Sequence, residues 1–288
     1  MRARYPDSDG IVVRDGVEIR YERYGEGSPA ILLLPTWSLV HSRHWKMQVP
    51  YLARHFTVVC FDGRGSGGSG RPADASAYSD PAFASDALAV MDAAGIDSAV
   101  LVSVSCGALW ALRLCAEHPD RVLGSVFIAP TAPLVPPLAE RRVQRFAEIF
   151  DNPVGWQLYN AHIWKTQYPE FVTFFIGRIF TEPHSTKQIE DATGWALEID
   201  GETLEAADRG LACCDEAATR RLATQVACPV LVMHGTQDAV RGYAEGEALA
   251  ACTGGPLVTL AGAGHFPQAR DPVRVNLLIK QFADRVPR

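Results

Sequence analysis

The chain has 288 residues, 48% of them hydrophobic, and a formal net charge of −6. This composition suits one large globular domain or two small ones. A mildly acidic chain with mixed charges lacks the basic face that a nucleic-acid binder needs. No apolar run approaches the ~20 residues that span a bilayer, and the N-terminus has no apolar stretch of a secretion signal.

Seven cysteines are spread at irregular spacing. An odd, irregular set without a secretion signal favours reduced thiols and a cytoplasmic protein. Cys213 and Cys214 are adjacent, but no second Cys or His pair at ligand spacing accompanies them. We therefore interpret them as two small side chains on a helix and predict no metal site.

The pattern of apolar runs predicts an eight-stranded sheet. Alternating residues at 11–13 and 17–24, joined by Asp15-Gly16, predict a hairpin. Six short apolar runs are typical of strands buried on both faces, at residues 30–34, 56–61, 99–104, 122–129, 229–233 and 257–260. Amphipathic stretches predict helices at 45–54, 82–94, 107–117, 243–251 and 273–285. This alternation predicts a mostly parallel sheet with helices on both faces and the hairpin at an antiparallel edge.

The alternation stops between residues 131 and 225, where the periodicity is helical and no strand is evident. Residues 146–180 alone contain ten aromatic side chains. An aromatic helical stretch inside an α/β domain suggests a lid over an apolar pocket. We expect most of the rings to form the lid's own core and a few to face the pocket. The predicted division is a core of residues 1–130 and 226–288, with a helical cap at 131–225.

The sharpest motif is VLVSVSCG at residues 100–107, where a buried strand runs into a serine and a helix begins at once. This is the geometry of a nucleophile elbow at Ser105, which requires small residues two before and two after it. Ser103 and Gly107 meet that requirement. Ser103 is an alternative nucleophile, but it lies in the strand end and would point elsewhere, so we interpret it as structural.

A serine nucleophile needs a base and the base an orienting carboxylate. Asp238 follows the run at 229–233, and His265 follows the run at 257–260. Both therefore lie past strand carboxyl ends, where α/β sheets have their active sites. The order serine, acid, histidine is the one expected for this kind of elbow.

Other histidines are weaker candidates. His41 and His44 lie in the loop after residues 30–34, near the expected pocket, and are the second choice for the base. His234 ends a predicted strand and is interpreted as a packed structural residue.

The segments ILLLPTW, VVCFDGRGSGGSGRP, VLVSVSCGALWALRLCAEHPDRV, CPVLVMHGTQDAV and LAGAGHFPQARDP resemble the α/β-hydrolase superfamily over nearly the whole chain. The resemblance implies an α/β-hydrolase fold with Ser105 as nucleophile, His265 as general base and then acid, and Asp238 orienting the imidazole. It also implies that the loop with Asp62 and Arg64 is chiefly structural.

One departure concerns the loop after residue 34, where the family usually has His-Gly-x and this chain has Pro35-Thr36-Trp37. The backbone N–H groups of Trp37 and Cys106 are the expected oxyanion donors. We expect Thr36 and Trp37 to narrow the pocket, with a Thr36 hydroxyl hydrogen bond within it, although Trp37 could simply pack under the lid. The pocket candidates are Thr36, Trp37, His41, Trp156, Trp164 and Phe266.

The side chain of Cys106 allows two interpretations. A thiol at a helix N-terminus can have thiolate character. We interpret Cys106 as a small wall residue and amide donor.

The leading functional hypothesis is a cofactor-free serine hydrolase that cleaves an ester, lactone or thioester of a mostly apolar small molecule through an acyl-enzyme. The same triad would also serve a C–C bond hydrolase or a cofactor-free haloperoxidase or perhydrolase, since the pocket chooses the substrate. A ligand-binding sensor on a hydrolase scaffold is a third hypothesis, which the presence of all three triad residues disfavours. No nucleic-acid or membrane partner is expected, and a homodimer through the lid is left open.

Overall fold

Eight strands form one sheet in the computed structural model, which describes residues 4–143, 145–211 and 215–287. Their spatial order is β1-β2-β4-β3-β5-β6-β7-β8; β1 pairs with β2 and β2 with β4 in antiparallel fashion, and the other pairs are parallel. The predicted fold class is confirmed, including the hairpin at the antiparallel edge. The strands are β1 (Ser8–Arg14), β2 (Val17–Tyr24), β3 (Ala30–Leu33), β4 (Thr57–Phe61), β5 (Ala99–Val104), β6 (Val122–Ile128), β7 (Val230–Gly235) and β8 (Leu257–Leu260).

Eleven α-helices occur in the described part of the chain. They are α1 (Val49–Leu52), α2 (Asp80–Ala93), α3 (Gly107–Glu117), α4 (Ala161–Thr166), α5 (Tyr168–Ile179), α6 (Thr186–Ala196), α7 (Gly201–Gly210), α8 (Glu216–Gln225), α9 (Tyr243–Thr253), α10 (Pro267–Arg270) and α11 (Pro272–Ala283). In the described residues, no helix has the length and apolar character to cross a membrane.

Helices cover both faces of the sheet because successive strand residues point to opposite sides. In β5, Val100 and Val102 join one apolar cluster, with residues of α1 and α11, while Leu101 joins the other, with residues of α2, α3 and α9. All six residues of β5 are buried. The strand that precedes Ser105 is therefore held rigidly in the centre of the molecule.

The predicted helix at 45–54 is wrong. The structure has a 3-10 turn at Ser42–Trp45 and only a four-residue helix, α1, with Pro50 in its first turn. Proline has no N–H to donate, so Pro50 cannot lie inside a longer helix and ends the upstream turn. The remaining predicted helices differ from the observed ones only at their ends.

Residues 131–225, called the insertion below, contain α4 to α8 and no strand in their described part. Rings of α5, among them Phe171 and Phe175, belong to the same apolar cluster as Val100 and Val102 of the sheet. This part of the insertion therefore packs directly on that face of the core, while Leu222 and Ala223 of α8 join the cluster on the other face.

Gly107, at the start of α3, is a point where the backbone of another element comes very close. A Cβ atom at this position would lie 2.5 Å from the carbonyl oxygen of Pro35. Real Cβ atoms do not tolerate such a distance, so any side chain here would displace either α3 or the loop after β3.

We expect Gly107→Ala to lower the free energy of unfolding by about 1–3 kcal/mol, the usual cost of overpacking. Gly177→Ala is the matched control, because Gly177 lies in α5 with nothing within 4 Å of the added Cβ atom. That change should leave stability equal or slightly raised. Urea unfolding measures both, and equal midpoints for the two variants would contradict the proposed close contact.

Candidate active site

The three predicted triad residues follow three strands of the parallel part of the sheet. Ser105 follows β5, Asp238 follows β7 and His265 follows β8. Ser105 and His265 line one cavity, and His265 Nδ1 lies 2.8 Å from Asp238 Oδ2. The carboxyl ends of these strands meet at one edge, which brings the three side chains into one region.

Ser105 has a strained backbone, with φ of +54°. This left-handed conformation is uncommon outside glycine and is characteristic of functional sites. Hydrogen bonds hold the turn: the Ser105 N–H donates to the Ile128 carbonyl at 3.1 Å, and the Ser105 carbonyl accepts from Ala108 and Thr131 N–H groups, each at 3.0 Å. The bonds to Ile128 and Thr131 therefore fix the turn from β6 and the start of the insertion.

The Asp238 carboxylate accepts hydrogen bonds on both oxygens. Oδ1 accepts the backbone N–H groups of Val240 and Arg241 at 2.8 Å each, and Oδ2 contacts His265 Nδ1 at 2.8 Å and His234 Nε2 at 3.1 Å. Burial by itself would raise the pKa of Asp238, but His265 and His234 outweigh it and hold this pKa well below its usual range. The carboxylate therefore stays ionised and can orient the His265 ring.

His234 is more than a packed residue. It is fully buried at the end of β7, and its Nε2 lies 3.1 Å from both Asp238 Oδ2 and the Arg241 carbonyl oxygen. This second imidazole on the acid was not predicted from the sequence. The only feature of the sequence that could have indicated this contact is the spacing of four residues between His234 and Asp238, across a tight turn.

The loop after β3 borders the nucleophile. Thr36 and Trp37 line the cavity beside Ser105 and Cys106. Within the described residues, the backbone N–H groups of Trp37 and Cys106 donate no hydrogen bond. The Thr36 hydroxyl is buried and has no hydrogen-bond partner, so the bond expected from it is absent.

The Trp37 indole packs under the insertion as well as lining the cavity. Its ring is stacked on Tyr159 at 5.5 Å between centroids and lies edge-on to Phe175 at 5.2 Å. Such pairs contribute about 0.5–1.5 kcal/mol each beyond the area they bury. The wall of the cavity and the core of the insertion are therefore continuous at Trp37.

The cavity has a volume of about 220 Å³, below the roughly 300–1,000 Å³ of pockets for drug-sized ligands. Most of its wall is apolar, with Leu39, Val40, Leu109, Phe175, Ile179, Leu211, Val240 and Phe266 among its residues. Arg141, Tyr159, Asp208 and Arg241 also line it. The predicted apolar character therefore describes most of the wall, and these four polar groups were not among the predicted pocket residues.

Three of the predicted pocket residues lie outside the wall of this cavity. His41 Nε2 lies 3.3 Å from Glu198 Oε2, and its ring is edge-on to Trp195. Trp164 and Trp156 are buried among the rings around Tyr159. Both tryptophans contact Tyr159, which does line the cavity, and periodicity within the insertion could not reveal which of these rings would reach it.

The second-choice bases are poorly suited to that role. Neither His41 nor His44 lines the cavity with Ser105. His44 is buried with both ring nitrogens unbonded, and burial lowers its pKa to about 3. Such a weak base stays neutral at physiological pH and would be an inefficient proton acceptor.

Cys106 lines the cavity. Burial raises the pKa of the Cys106 thiol, so the thiolate reading is not supported. The Thr131 hydroxyl lies 3.8 Å from Cys106 Sγ. Cys106 therefore acts as a neutral wall residue.

The loop after β4 has structural contacts. Arg64 forms a two-point ion pair with Asp86, at 2.6 and 2.8 Å, and both side chains are buried. Asp62 accepts the backbone N–H groups of Ser42 and Gly68 at 3.0 and 2.8 Å. These contacts fasten the loop to its neighbours.

Within residues 4–143, 145–211 and 215–287, no group of three or more His, Cys, Asp or Glu side chains is arranged to hold a metal ion. Cys213 and Cys214 lie outside the described residues.

Comparison with known proteins identifies the family. Residues 29–272 match the family model described as alpha/beta hydrolase fold. The chain belongs to the α/β-hydrolase family. It is therefore a member of a family of enzymes, as the resemblance of its motifs implied.

Relatives of this α/β-hydrolase include enzymes named for different reactions. The chain is 24% identical to 3-oxoadipate enol-lactonase 2 of Acinetobacter baylyi over 281 residues, covering 96% of this chain and 97% of the relative. It is 30% identical to a fluoroacetate dehalogenase of Burkholderia sp. over 291 residues, covering 90% and 88%. The solved enol-lactonase of Burkholderia xenovorans LB400 has a TM-score of 0.81 at 22% identity, covering 96% of this chain and all of that one. These relatives act on small molecules.

We expect His44 to make the protein less stable as the pH falls. Between its ordinary pKa of 6.5 and its folded pKa of about 3, the unfolded chain binds a proton that the folded chain does not. The free energy of unfolding should therefore decrease by about 1.4 kcal/mol per pH unit below about pH 6.5 from this group.

The His44→Leu variant removes this contribution. Urea unfolding between about pH 8 and pH 5 should give a flatter stability profile for the variant than for the wild type. Parallel profiles would contradict the buried, neutral state of His44.

Proposed function

We propose that this α/β-hydrolase is a serine hydrolase that cleaves a carboxylic ester, lactone or thioester of a small molecule. The observation that carries the proposal is the cavity that Ser105 and His265 line together, with His265 Nδ1 2.8 Å from the buried Asp238 carboxylate. The left-handed turn at Ser105 supports it, because strain of this kind is typical of active sites.

The proposed reaction begins when Ser105 Oγ attacks the substrate carbonyl carbon. His265 Nε2 takes the hydroxyl proton, while Asp238 accepts the Nδ1 hydrogen and keeps the ring in the required tautomer. The negative charge on the carbonyl oxygen is stabilised by the backbone N–H groups of Trp37 and Cys106. His265 then protonates the leaving group, and the same imidazole activates a water that releases the acid from the acyl-enzyme.

Membership of the family does not determine which bond of the substrate is cleaved, since the members named above include a lactonase and a dehalogenase. The chemistry of the nucleophile favours carbonyl substrates. Displacement of a halide by Ser105 would leave a serine ether, which has no carbonyl for water to attack. Attack on an ester or lactone instead gives an acyl-serine, which water can hydrolyse.

The insertion is proposed to act as a cap, with residues 1–130 and 226–288 as the catalytic core. Tyr159, Phe175 and Ile179 of the insertion line the cavity with the core residues Ser105 and His265. Closure by this cap would exclude water and limit the size of the substrate.

Replacing the nucleophile tests the proposal directly. We expect Ser105→Ala to lower the turnover of short p-nitrophenyl esters by about 10³-fold or more. Ser103→Ala is the matched control, because Ser103 is fully buried, donates to the Val126 carbonyl at 3.3 Å and does not line the cavity. Unchanged turnover in the Ser105→Ala variant would refute the assignment.

A second assay separates the alternatives. A fluorophosphonate probe should label the wild type and spare Ser105→Ala, whereas a sensor without a reactive serine would not be labelled. Ester hydrolysis is then compared with cleavage of a vinylogous diketone and with peroxide-dependent bromination. If diketone cleavage or bromination is faster than ester hydrolysis, that reaction replaces ester hydrolysis as the proposed activity.

A further inference from the structure

Two arginines line the cavity that holds Ser105 and His265. Arg241 comes from the turn after β7, three residues beyond Asp238, and Arg141 comes from the insertion. The two cationic groups therefore reach the cavity from the two parts of the chain that enclose it. The reaction proposed above uses neither of them.

The donor groups of Arg241 are largely unused. In the described residues its guanidinium makes no hydrogen bond, and the carboxylate within 4 Å of it is that of Glu245, with Nη1 and Oε1 3.8 Å apart. This distance is too long for a hydrogen bond. A guanidinium carries five N–H donors, so Arg241 can bind a further acceptor.

Arg141 also has unused capacity. Its Nη1 donates to the Val240 carbonyl at 2.8 Å, and its guanidinium lies over the Trp156 ring at 4.8 Å. Its Nε atom is buried and has no hydrogen-bond partner. Apart from Nη1, none of the N–H donors of this guanidinium has a hydrogen-bond partner in the described residues, so Arg141 can donate to a further acceptor.

The charges in the cavity wall are imperfectly balanced. Burial and the nearby charge of Arg241 lower the pKa of Arg141 to about 10, so both arginines remain cationic at neutral pH. Asp208 also lines the cavity, and burial raises its pKa to about 6. Its carboxylate accepts the Tyr159 hydroxyl, and within the described residues it forms no ion pair with either arginine.

We propose that Arg141 and Arg241 form a carboxylate-binding subsite, so that the substrate is a small ester or lactone that also carries a carboxylate. This inference rests on the proposed function. A planar carboxylate matches the N–H geometry of a guanidinium, and such charge-assisted bonds are among the strongest in proteins. The carbonyl to be cleaved then lies at Ser105, and the apolar wall contacts the carbon chain between the two groups.

A matched pair of substrates tests the subsite without any mutation. Mono-p-nitrophenyl glutarate carries a free carboxylate, and its methyl ester has the same chain and leaving group without the charge. We expect the wild type to have a kcat/KM about 10- to 100-fold higher for the acid. A ratio of one or below would overturn the proposal.

Substitution then locates the effect. Arg241→Gln and Arg141→Gln should each reduce the preference for the acid by about tenfold. Arg221→Gln is the matched control, because Arg221 is exposed on α8, and its ratio should equal that of the wild type. If both cavity variants kept the full preference, the proposal would be overturned.

Binding measurements separate this inference from the proposed function. Calorimetry on the Ser105→Ala variant, which lacks the proposed nucleophile, should show tighter binding of monomethyl glutarate than of dimethyl glutarate, and adding Arg241→Gln should weaken only the former. If no ester is hydrolysed but this binding preference holds, the subsite stands and the hydrolase assignment fails. If Ser105-dependent hydrolysis occurs with no preference in rate or binding, the subsite fails and the hydrolase assignment stands.

Discussion

The arrangement of the site depends on the buried carboxylate of Asp238. Four N–H or ring-nitrogen groups surround its two oxygens, from Val240, Arg241, His234 and His265. A buried charge without such partners would cost several kcal/mol. The carboxylate therefore fixes the backbone of the turn after β7 and the orientation of the His265 ring. Its bond to the Arg241 N–H also fixes the backbone position from which the Arg241 side chain extends.

The loops that carry the acid and the histidine are also fastened to the insertion. The backbone N–H of His265 donates to the Ile179 carbonyl at 2.9 Å, and the backbone N–H of Gly264 donates to Glu182 Oε1 at 2.7 Å. The Thr181 hydroxyl donates to the Gln237 carbonyl at 3.0 Å. Because these bonds connect distant parts of the chain, the insertion contributes to the geometry around His265 as well as to the walls of the cavity.

The electrostatic character of the cavity follows from the same packing. Arg241, in the turn after β7, has an ionic neighbour in Glu245 of the first turn of α9, while Arg141 approaches from the insertion and donates to the Val240 carbonyl. The net charge of −6 gave no indication of two cations at the cavity. Net charge sums the whole surface, whereas ligand recognition depends on the few groups that share one low-dielectric pocket.

Sequence alone determined the strands, their alternation with helices and the order of Ser105, Asp238 and His265, because strand periodicity and turn chemistry are local properties. The short length of α1 could also have been predicted from Pro50 in the sequence. Only the tertiary structure decided that Tyr159, Arg141 and Asp208 reach the cavity while Trp156 and Trp164 do not. That selection depends on how the helices of the insertion turn and pack against the sheet, and contacts between residues far apart in the chain leave no periodic signal in the sequence.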